Sequence, residues 1–454
     1  MRGPYPIPDH IKDVMDVLEK EGARAYVVGG AVRNLILGQK PHDYDIATDM
    51  TPDRVGEALS ASGFRLIDCN GLKHGTVVAL SGEEPVEVTT FRTETGYSDN
   101  RHPDAVFFAD SIEEDVKRRD FTMNALYLGS DNMVRDTVGG ITDIENRIIR
   151  AVGDPQKRFR EDALRILRGI RFSSRLGFKI EEGTSRAMKD TAYLLGEISP
   201  ERIRTEMDGI VSGEYAPDAI RDNIDVLSYV IPGLKKMEGF DQRTPHHDRD
   251  VLEHTLDTLA EIPVVDGKRD EVLSYSAIFH DIAKPDVFFL DRNGRGHMKG
   301  HAAAGEAVVL EFMDRYKFSN DRKKTISMLV RFHDDFTDGT RRGTARMMSQ
   351  FDPDFLDQLF ILQRADILAH SNSGNDRMEI LEKTISFRQD LIREKACVKI
   401  ADLAVDGNDI LALGTVKKED IGKVLKFLLD SVIDGKVNNF RDLLLNYVEK
   451  WHEL

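Results

Sequence analysis

The chain has 454 residues, 41 % of them apolar and 31 % charged, enough for several hydrophobic cores and so roughly two to four domains. Its formal net charge of −16 speaks against a general nucleic-acid binder, because phosphate neutralisation by basic side chains supplies most non-specific affinity. No run approaches about eighteen apolar residues, the opening MRGPYPIPDH lacks a secretory pattern, and Cys69 and Cys397 fit no metal or redox spacing, so a cytoplasmic chain without a membrane partner is expected.

Residues 8–24 read as an amphipathic helix, followed by the strand AYVV and a short helix through Leu35. Strand-like runs come next at YDIAT, GTVVAL, VEVTTF and NALYL, and helical patterns dominate from about Glu161 to the end. A mixed α/β head of about 150 residues therefore precedes a long all-α remainder. RTETGYSDNRHPDAV (92–106) is polar and aperiodic, which predicts a loop within the head, and DQRTPHHDRD (241–250) suits a boundary between helical units. Between Arg147 and Arg175 nine Lys and Arg stand against three acids, a basic stretch suited to RNA on an otherwise acidic chain.

The stretch YVVGGAVRNLILGQKPHDYDIATD carries the first chemical signal. With YDIAT as a strand, Asp43 just before it and Asp45 within it project to the same side. Two such carboxylates form a poor salt-bridge site and a good seat for Mg²⁺, which takes one or two carboxylates plus phosphate oxygens. Gly29 and Gly30 let the backbone approach a triphosphate, and Arg33 in the following helix can meet phosphate. Nucleotidyl transfer fits these parts, although an Asp-x-Asp pair by itself is commonly a solvated surface. Glu87 in VEVTTF alternates inward with the sheet and suits either a third metal carboxylate or a partner for Arg92 or Arg118.

In RRDFTMNAL, Arg118 and Arg119 suit triphosphate oxygens and Asp120 can accept a ribose hydroxyl; a surface arginine pair capping a strand is the other reading. In EDALR, Asp162 and Arg165 at i and i+3 share a helix face, an acceptor beside donors. That pair matches N4 and N3 of cytosine and N6 and N1 of adenine, and mismatches uracil and guanine. Glu161, four residues before Arg165, can instead make an ordinary helix salt bridge with it. SPERIRTEM places Ser199 as N-cap and Pro200 at the first helical position, with Glu201 and Arg204 bracing the EDALR helix; Gly139–Gly140 suits a hinge.

These segments, together with GLKHGTVVAL, DTVGGITDIENRIIRAVGDP and RFREDALRILRGIRFSSRLGF, occur in order between residues 26 and 207. The series resembles the bacterial class II tRNA CCA-adding enzymes and their poly(A) polymerase relatives in the DNA polymerase β nucleotidyltransferase superfamily. The resemblance implies an α+β fold: a head with a mixed five-stranded sheet and helices (1–150), an all-α neck that binds nucleobase and tRNA (151–240), an HD domain (241–375) and a helical tail (376–454). It implies template-independent addition of CCA to the tRNA acceptor arm from CTP and ATP, with Mg²⁺ on Asp43 and Asp45 and with no DNA partner. It also places Arg119 and Asp120 at the sugar, Asp162 and Arg165 at the base, and Asn124, Arg168 and Arg171 with the nucleotide. Poly(A) polymerases usually carry a basic GRRF-type segment where this chain has GFRLIDCNGLKHGTVVAL, with the CCA-type KHGT. The 92–106 loop argues against an enzyme adding only C, whereas one adding only the terminal A stays open.

A second set of motifs, VLEHTLDTL, AIFHDIAKPD, GRGHMKGHAAAGE, VRFHDD and LQRADILAH, follows from residue 251. The order His254, His280–Asp281, Asp366 resembles the HD-domain metal phosphohydrolases, and the His and Asp donors suit a transition metal. His301 and His333 can add ligands for a second ion. The resemblance implies hydrolysis of a phosphomonoester or a 2′,3′-cyclic phosphate at an RNA end; a scaffold that only orients tRNA is the alternative. A poly(A) polymerase, and a protein that is chiefly an HD phosphohydrolase with an RNA-binding head, remain the rival readings of the whole chain. Residues 376–454 carry no motif, and Lys417, Lys418, Lys423 and Lys426 read as a solvated helix face.

Overall fold

The computed structural model describes residues 3–67, 75–96, 105–243, 249–370 and 375–453. Lys73 and His74 of the KHGT segment, Cys69, the middle of the 92–106 stretch and half of the 241–250 boundary lie outside the described residues. The chain divides into two compact units, Met1–Pro232 with Asp266–Lys268, and Gly233–Val265 with Arg269–Leu454.

The first unit runs α1 (Asp9–Lys20), β1 (Ala25–Val28), α2 (Gly30–Ile36), β2 (Asp45–Thr48), α3 (Pro52–Ala61), β3 (Arg65–Ile67), β4 (Thr76–Ser81) and β5 (Glu84–Thr90). The hairpin β6 (Arg92–Thr95) and β7 (Ala105–Phe108), α4 (Ile112–Asp115), β8 (Tyr127–Gly129), β9 (Val134–Arg135) and α5 (Gly140–Glu145) follow. Seven strands form one sheet in the order β3-β4-β5-β2-β1-β8-β9, where the sequence predicts five. The two extra strands, β3 and β9, hold three and two residues, too few for a period-two pattern to register. NALYL contributes only Tyr127 and Leu128 to the strand Tyr127–Gly129, because Thr122–Asn124 forms a 3₁₀ turn.

Strand β1 is buried along its whole length, which explains its unbroken apolar run. Val27 and Ile46 pack on one side with Ile11, Val14 and Leu18 of α1, while Tyr26, Val28 and Ala47 pack on the other with Phe91 and Tyr127. Each such apolar side chain stabilises the fold by about 1.5–3 kcal/mol. The register does the functional work. β1 runs antiparallel to β2 with Val28 opposite Asp45, and β2 runs parallel to β5 with Asp45 opposite Glu87. The glycine turn after Val28 and the acidic start of β2 thus emerge at the same end of the sheet.

The helical remainder of this unit contains α6 (Pro155–Glu161), α7 (Leu164–Leu176), α8 (Glu182–Thr191) and α9 (Pro200–Val211). Asp154 caps α6 by accepting the Gln156 amide at 2.9 Å, with Pro155 at the first position. α9 begins at Pro200 after Ser199, as its sequence predicts, although the Ser199 hydroxyl makes no capping bond. The Gly139–Gly140 pair is not a hinge. A Cβ on Gly140 would meet the Thr122 carbonyl oxygen at 2.2 Å, and the Asp136 carboxylate accepts the amides of Val138, Gly139, Gly140 and Ile141 at 2.8–3.1 Å. Gly140 permits close packing, and Gly139, at φ +78°, supplies the left-handed turn before it.

In the second unit, helices Val251–Ala260, Glu271–Phe279, His301–Arg315, Asn320–Phe332 and Pro353–Leu368 pack on one another. A further core of Val405, Ile410, Val424, Leu428 and Leu444 lies in the C-terminal helices. Among the described residues no helix is long and apolar enough to cross a membrane.

Candidate active sites

One cleft of about 620 Å³ in the first unit is lined by Gly29, Gly30, Arg33, Asp43, Asp45, Arg118, Arg119, Asp120, Asn124, Asp162, Arg165, Arg168 and Arg171. Leu164, Phe172, Arg175 and Arg202 complete its wall, so eight arginines face four aspartates there. Glu161, Glu201 and Arg204 are not in the lining. Gly29 adopts φ +71°, a conformation only glycine reaches without strain, and this opens the turn into α2.

The acidic end of the cleft is under electrostatic tension. Asp45 is accessible from the cleft, yet the protein packed around it and then the neighbouring Glu87 and Asp43 carboxylates push its pKa up to about 6. Glu87 is exposed beside Asp45 in register, which favours the metal-carboxylate reading over a buried partner for Arg92 or Arg118. Arg92 and Arg118 find other acids: Arg92 Nε donates to Glu94 at 2.8 Å and Arg118 Nε to Asp115 at 2.7 Å.

Asp115, which the sequence reading passes over, holds the arginine pair. Its side chain is fully buried and also accepts Arg119 Nη2 at 3.0 Å and the Tyr127 hydroxyl at 2.7 Å. Burial opposes its charge, but Arg118 and Arg119 outweigh burial and keep its pKa below the usual carboxylate value. The i, i+3 and i, i+4 spacings of Asp115 to Arg118 and Arg119 are the signal that marks it. Asp120 is similarly committed, to Arg168 at 2.7 and 2.9 Å and to the Phe121 amide at 2.7 Å. Arg33 is buried, donates to Asn124 Oδ1 at 2.6 Å and lies 5.3 Å from the centre of the Phe172 ring; burial lowers its pKa to about 10. Phe172 also carries Arg168 and Arg171 at 5.7 and 5.2 Å.

Asp162 and Arg165 do not share a helix. Asp162 has φ −144° and ψ 102° between α6 and α7, and its carboxylate accepts the Leu164 amide at 3.1 Å. Arg202 of α9 clamps that carboxylate at 3.1 Å, and Glu206 clamps Arg171 at 2.8 Å. Bracing of the cleft from α9 thus includes Arg202 and Glu206, which the sequence does not mark for that role. Arg165 pairs across the break between α6 and α7 with Glu161 at 3.1 Å and donates to the carbonyls of Arg158 and Arg118 at 3.2 and 2.8 Å. Three of its five N–H donors are used, and two remain.

The second unit gathers its His and Asp residues as the sequence predicts. His254 Nε2 lies 3.0 Å from Asp366 Oδ1 and 3.6 Å from Asp281 Oδ2, and His280 Nε2 lies 3.2 Å from Asp281 Oδ2. His301 and His333 approach the other oxygen, Asp281 Oδ1, at 3.4 and 3.9 Å. The donor chemistry fits cations. His280, His301 and His333 set Nδ1 against the carbonyls of Ala277, Met298 and Val330 at 2.7–3.0 Å, which fixes the tautomer that leaves Nε2 as a ligand. Neither buried oxygen of Asp281 accepts an aligned hydrogen bond, though the Lys284 ammonium lies 2.6 Å from Oδ2. Burial lowers the pKa of His333 to about 3, so it stays neutral and able to ligate. His370, four residues after Asp366 and unremarked in the sequence reading, stacks on His254 at 4.6 Å. Asp281, His301, His333, Asp366 and His370 border a cavity of about 420 Å³ that also exposes Lys299, Arg331 and Arg377, whereas His254 and His280 lie outside its lining.

The Poly A polymerase head domain matches residues 25–150, the "Probable RNA and SrmB- binding site of polymerase A" matches 177–237, and a tRNA nucleotidyltransferase domain 2 model matches 301–448. The chain is 33 % identical over 439 residues to the CCA-adding enzyme of Lactobacillus helveticus, covering 96 % of this chain and 95 % of that relative. It is 46 % identical over 226 residues to the CCA-adding enzyme of Streptococcus suis, covering 49 % and 55 % of the two chains. The crystal structure of the Bacillus stearothermophilus CCA-adding enzyme in complex with CTP superposes with a TM-score of 0.70 at 26 % identity, over 100 % of this chain and 98 % of that one. The Thermotoga maritima CCA-adding enzyme complexed with tRNA_CCA shares the fold, with a TM-score of 0.63 at 20 % identity over 98 % and 97 % of the chains. With near-complete coverage and an acid-and-arginine cleft at the sheet end, the chain belongs to the family of CCA-adding enzymes.

Proposed function

We propose that the cleft of the first unit adds C, C and A to the 3′ end of tRNA from CTP and ATP without a nucleic-acid template. The observation that carries this reading is the convergence of Asp43, Asp45 and eight arginines in one cleft of a chain that aligns along 96 % of its length with a CCA-adding enzyme. Asp43 and Asp45, with Glu87 beside them, would hold Mg²⁺. When bound, such an ion lowers charge on an attacking hydroxyl and on departing pyrophosphate. The 3′-hydroxyl oxygen of the tRNA bonds to the α-phosphorus as the bond to the bridging oxygen breaks, and pyrophosphate leaves.

The chain's own residues orient that exchange. Arg118 and Arg119, held by Asp115, meet the triphosphate, and the Gly29–Gly30 backbone allows its close approach. Asp120 and Asn124 sit near the sugar, with Arg33, Arg168 and Arg171 supplying positive charge around it. Asp162 accepts the exocyclic amino group of cytosine or adenine while the remaining donors of Arg165 meet the ring nitrogen. The proposed division is head 1–150, neck 151–240, HD domain 241–375 and tail 376–454, in a cytoplasmic enzyme.

In the second unit, His254, His280, Asp281 and Asp366 would hold a transition-metal ion, with His301 and His333 beside a second. When bound, such ions would supply the activation of a water for phosphate ester hydrolysis. The clustering of imidazole nitrogens about Asp281 and the locked imidazoles support this over a mere scaffold. Hydrolysis of a 2′,3′-cyclic phosphate would open it to a phosphomonoester, and hydrolysis of the monoester would release inorganic phosphate and return a damaged RNA end to the hydroxyl that the first unit extends.

The test offers tRNAs ending before CCA, after C and after CC with each nucleoside triphosphate separately. Acceptance of all three ends, CTP before ATP, is expected. Long tails from ATP alone on unrelated RNA would instead support a poly(A) polymerase, and acceptance of the CC end alone an A-adding enzyme.

A further inference from the structure

Beside the second centre stands a two-stranded ribbon, Phe289–Leu290 paired antiparallel with Gly296–His297. It is firmly seated. Phe288 packs edge-on against Phe240 at 5.2 Å, the Gly296 amide donates to the Arg243 carbonyl at 3.0 Å, and a Cβ on Gly296 would meet the Gln242 carbonyl oxygen at 2.1 Å. The Gln242 side chain in turn accepts from Lys284, whose ammonium touches Asp281. One backbone segment thus links the ribbon to the proposed metal ligands. On its other side the ribbon is bound to the same centre through the chain, since His297 leads through Met298, Lys299 and Gly300 into His301, all four of which border the cavity.

What the ribbon presents is an aromatic surface. Phe289 and His297 are register partners with parallel rings 5.4 Å apart and 23° from coplanar. Phe289 is 51 % exposed, and the His297 ring is pinned by Asp291 at 3.1 Å. Arg292 and Arg295 are exposed in the turn joining the strands, and Lys299 is exposed at the cavity rim. A lone exposed phenylalanine needs no explanation. A rigid stacked pair among cations, next to a cavity that would take a phosphate ester, matches how proteins hold single-stranded nucleic acid: a flat ring for the base and positive charge for the backbone.

We propose that the Phe289–His297 ribbon is a nucleobase-stacking subsite, so that the second centre receives the end nucleotide of a single-stranded RNA by its base as well as by its phosphate. The subsite rests on the reading of that centre as a phosphohydrolase for its purpose, and not for its existence.

The experiment uses the full-length protein with Mn²⁺ and two probes, adenosine 2′,3′-cyclic monophosphate and the base-free ester β-glycerophosphate. Affinity for the cyclic nucleotide is read by calorimetry and hydrolysis of both probes by phosphate or nucleotide release. Phe289→Ala should weaken nucleotide binding, or raise its KM, about tenfold. It should leave kcat and the KM for β-glycerophosphate within about twofold, and Phe289→Trp should restore the affinity. Equal nucleotide affinity in Phe289→Ala and wild type, no nucleotide binding by wild type, or equal losses on both probes would each overturn the subsite. Binding that is weakened by Phe289→Ala in a protein that hydrolyses neither probe would instead leave the subsite standing and remove the phosphohydrolase reading.

Discussion

Asp45 lies in register with Glu87 and near Asp43, and its pKa of about 6 stands above the 3.8 of an unperturbed aspartate. Between those two values the folded protein holds a proton that the unfolded chain has released. Stability therefore falls as pH rises through this window and stays lowered above it. Asp45→Asn should accordingly raise the melting temperature of chelator-treated protein at pH 7.5 but not at pH 4, while CMP incorporation drops about a hundredfold or more. Melting curves at the two pH values and a single-nucleotide incorporation assay check both halves. Asp115 presents the opposite case. Asp115→Ala leaves Arg118 and Arg119 without their buried acid, and such a loss costs about 3–5 kcal/mol. Urea titration should show that loss, and the KM for CTP should rise more than kcat falls if the arginines serve binding. Of these residues Asp43, Asp45, Arg118 and Arg119 are legible in the sequence through their motifs taken together with the family resemblance, and not from spacing alone. Glu87 is legible only as one of two alternatives, because the choice rests on the parallel pairing of β2 with β5.

At the scale of elements, the break between α6 and α7 decides how bases can be read. The i, i+3 spacing of Asp162 and Arg165 predicts a shared helix face, but Asp162 leaves helical geometry to cap the next helix. Its aim is then set by Arg202 from α9. Arg202→Ala should lower the preference for CTP over UTP about tenfold, the scale of one charged hydrogen bond lost or misdirected. Competition between the two nucleotides on a tRNA lacking CCA measures it. The same helices show why the basic stretch 147–175 is not a free surface: Arg150, Arg158, Arg165, Arg168 and Arg171 are each paired with a named acid. The paired glycines at 139–140 carry an equally direct test. Gly140→Ala forces a methyl into the Thr122 carbonyl, and overpacking of this kind costs about 1–3 kcal/mol. A hinge would tolerate it; a lowered melting temperature is expected.

For the whole molecule, the two units carry different donor chemistry, carboxylates and arginines in one, imidazoles and carboxylates in the other. Activities should separate accordingly. Asp45→Asn is expected to lose CMP addition and keep metal-dependent phosphate release, and His280→Ala to do the reverse. A ligand that binds only the folded state at a hundred times its Kd adds about 2.7 kcal/mol. Mn²⁺ should therefore raise the melting temperature of the wild-type chain more than that of His280→Ala, as differential scanning calorimetry would show. The net charge of −16 is compatible with an RNA substrate because eight arginines line the cleft, a local concentration of positive charge that the overall sum conceals.

Taken by themselves, the 454 residues determine the head-then-helices order, the Asp-x-Asp pair after a glycine turn and the His-Asp series, since each is a local pattern of spacing or periodicity. Only the tertiary structure decides the seven-strand order, the company of Glu87 with Asp45, the hold of Asp115 and Arg202 on their partners, and the aromatic ribbon beside Asp281. Those depend on which distant segments pack together, and packing sums many weak contacts that no short stretch of sequence contains.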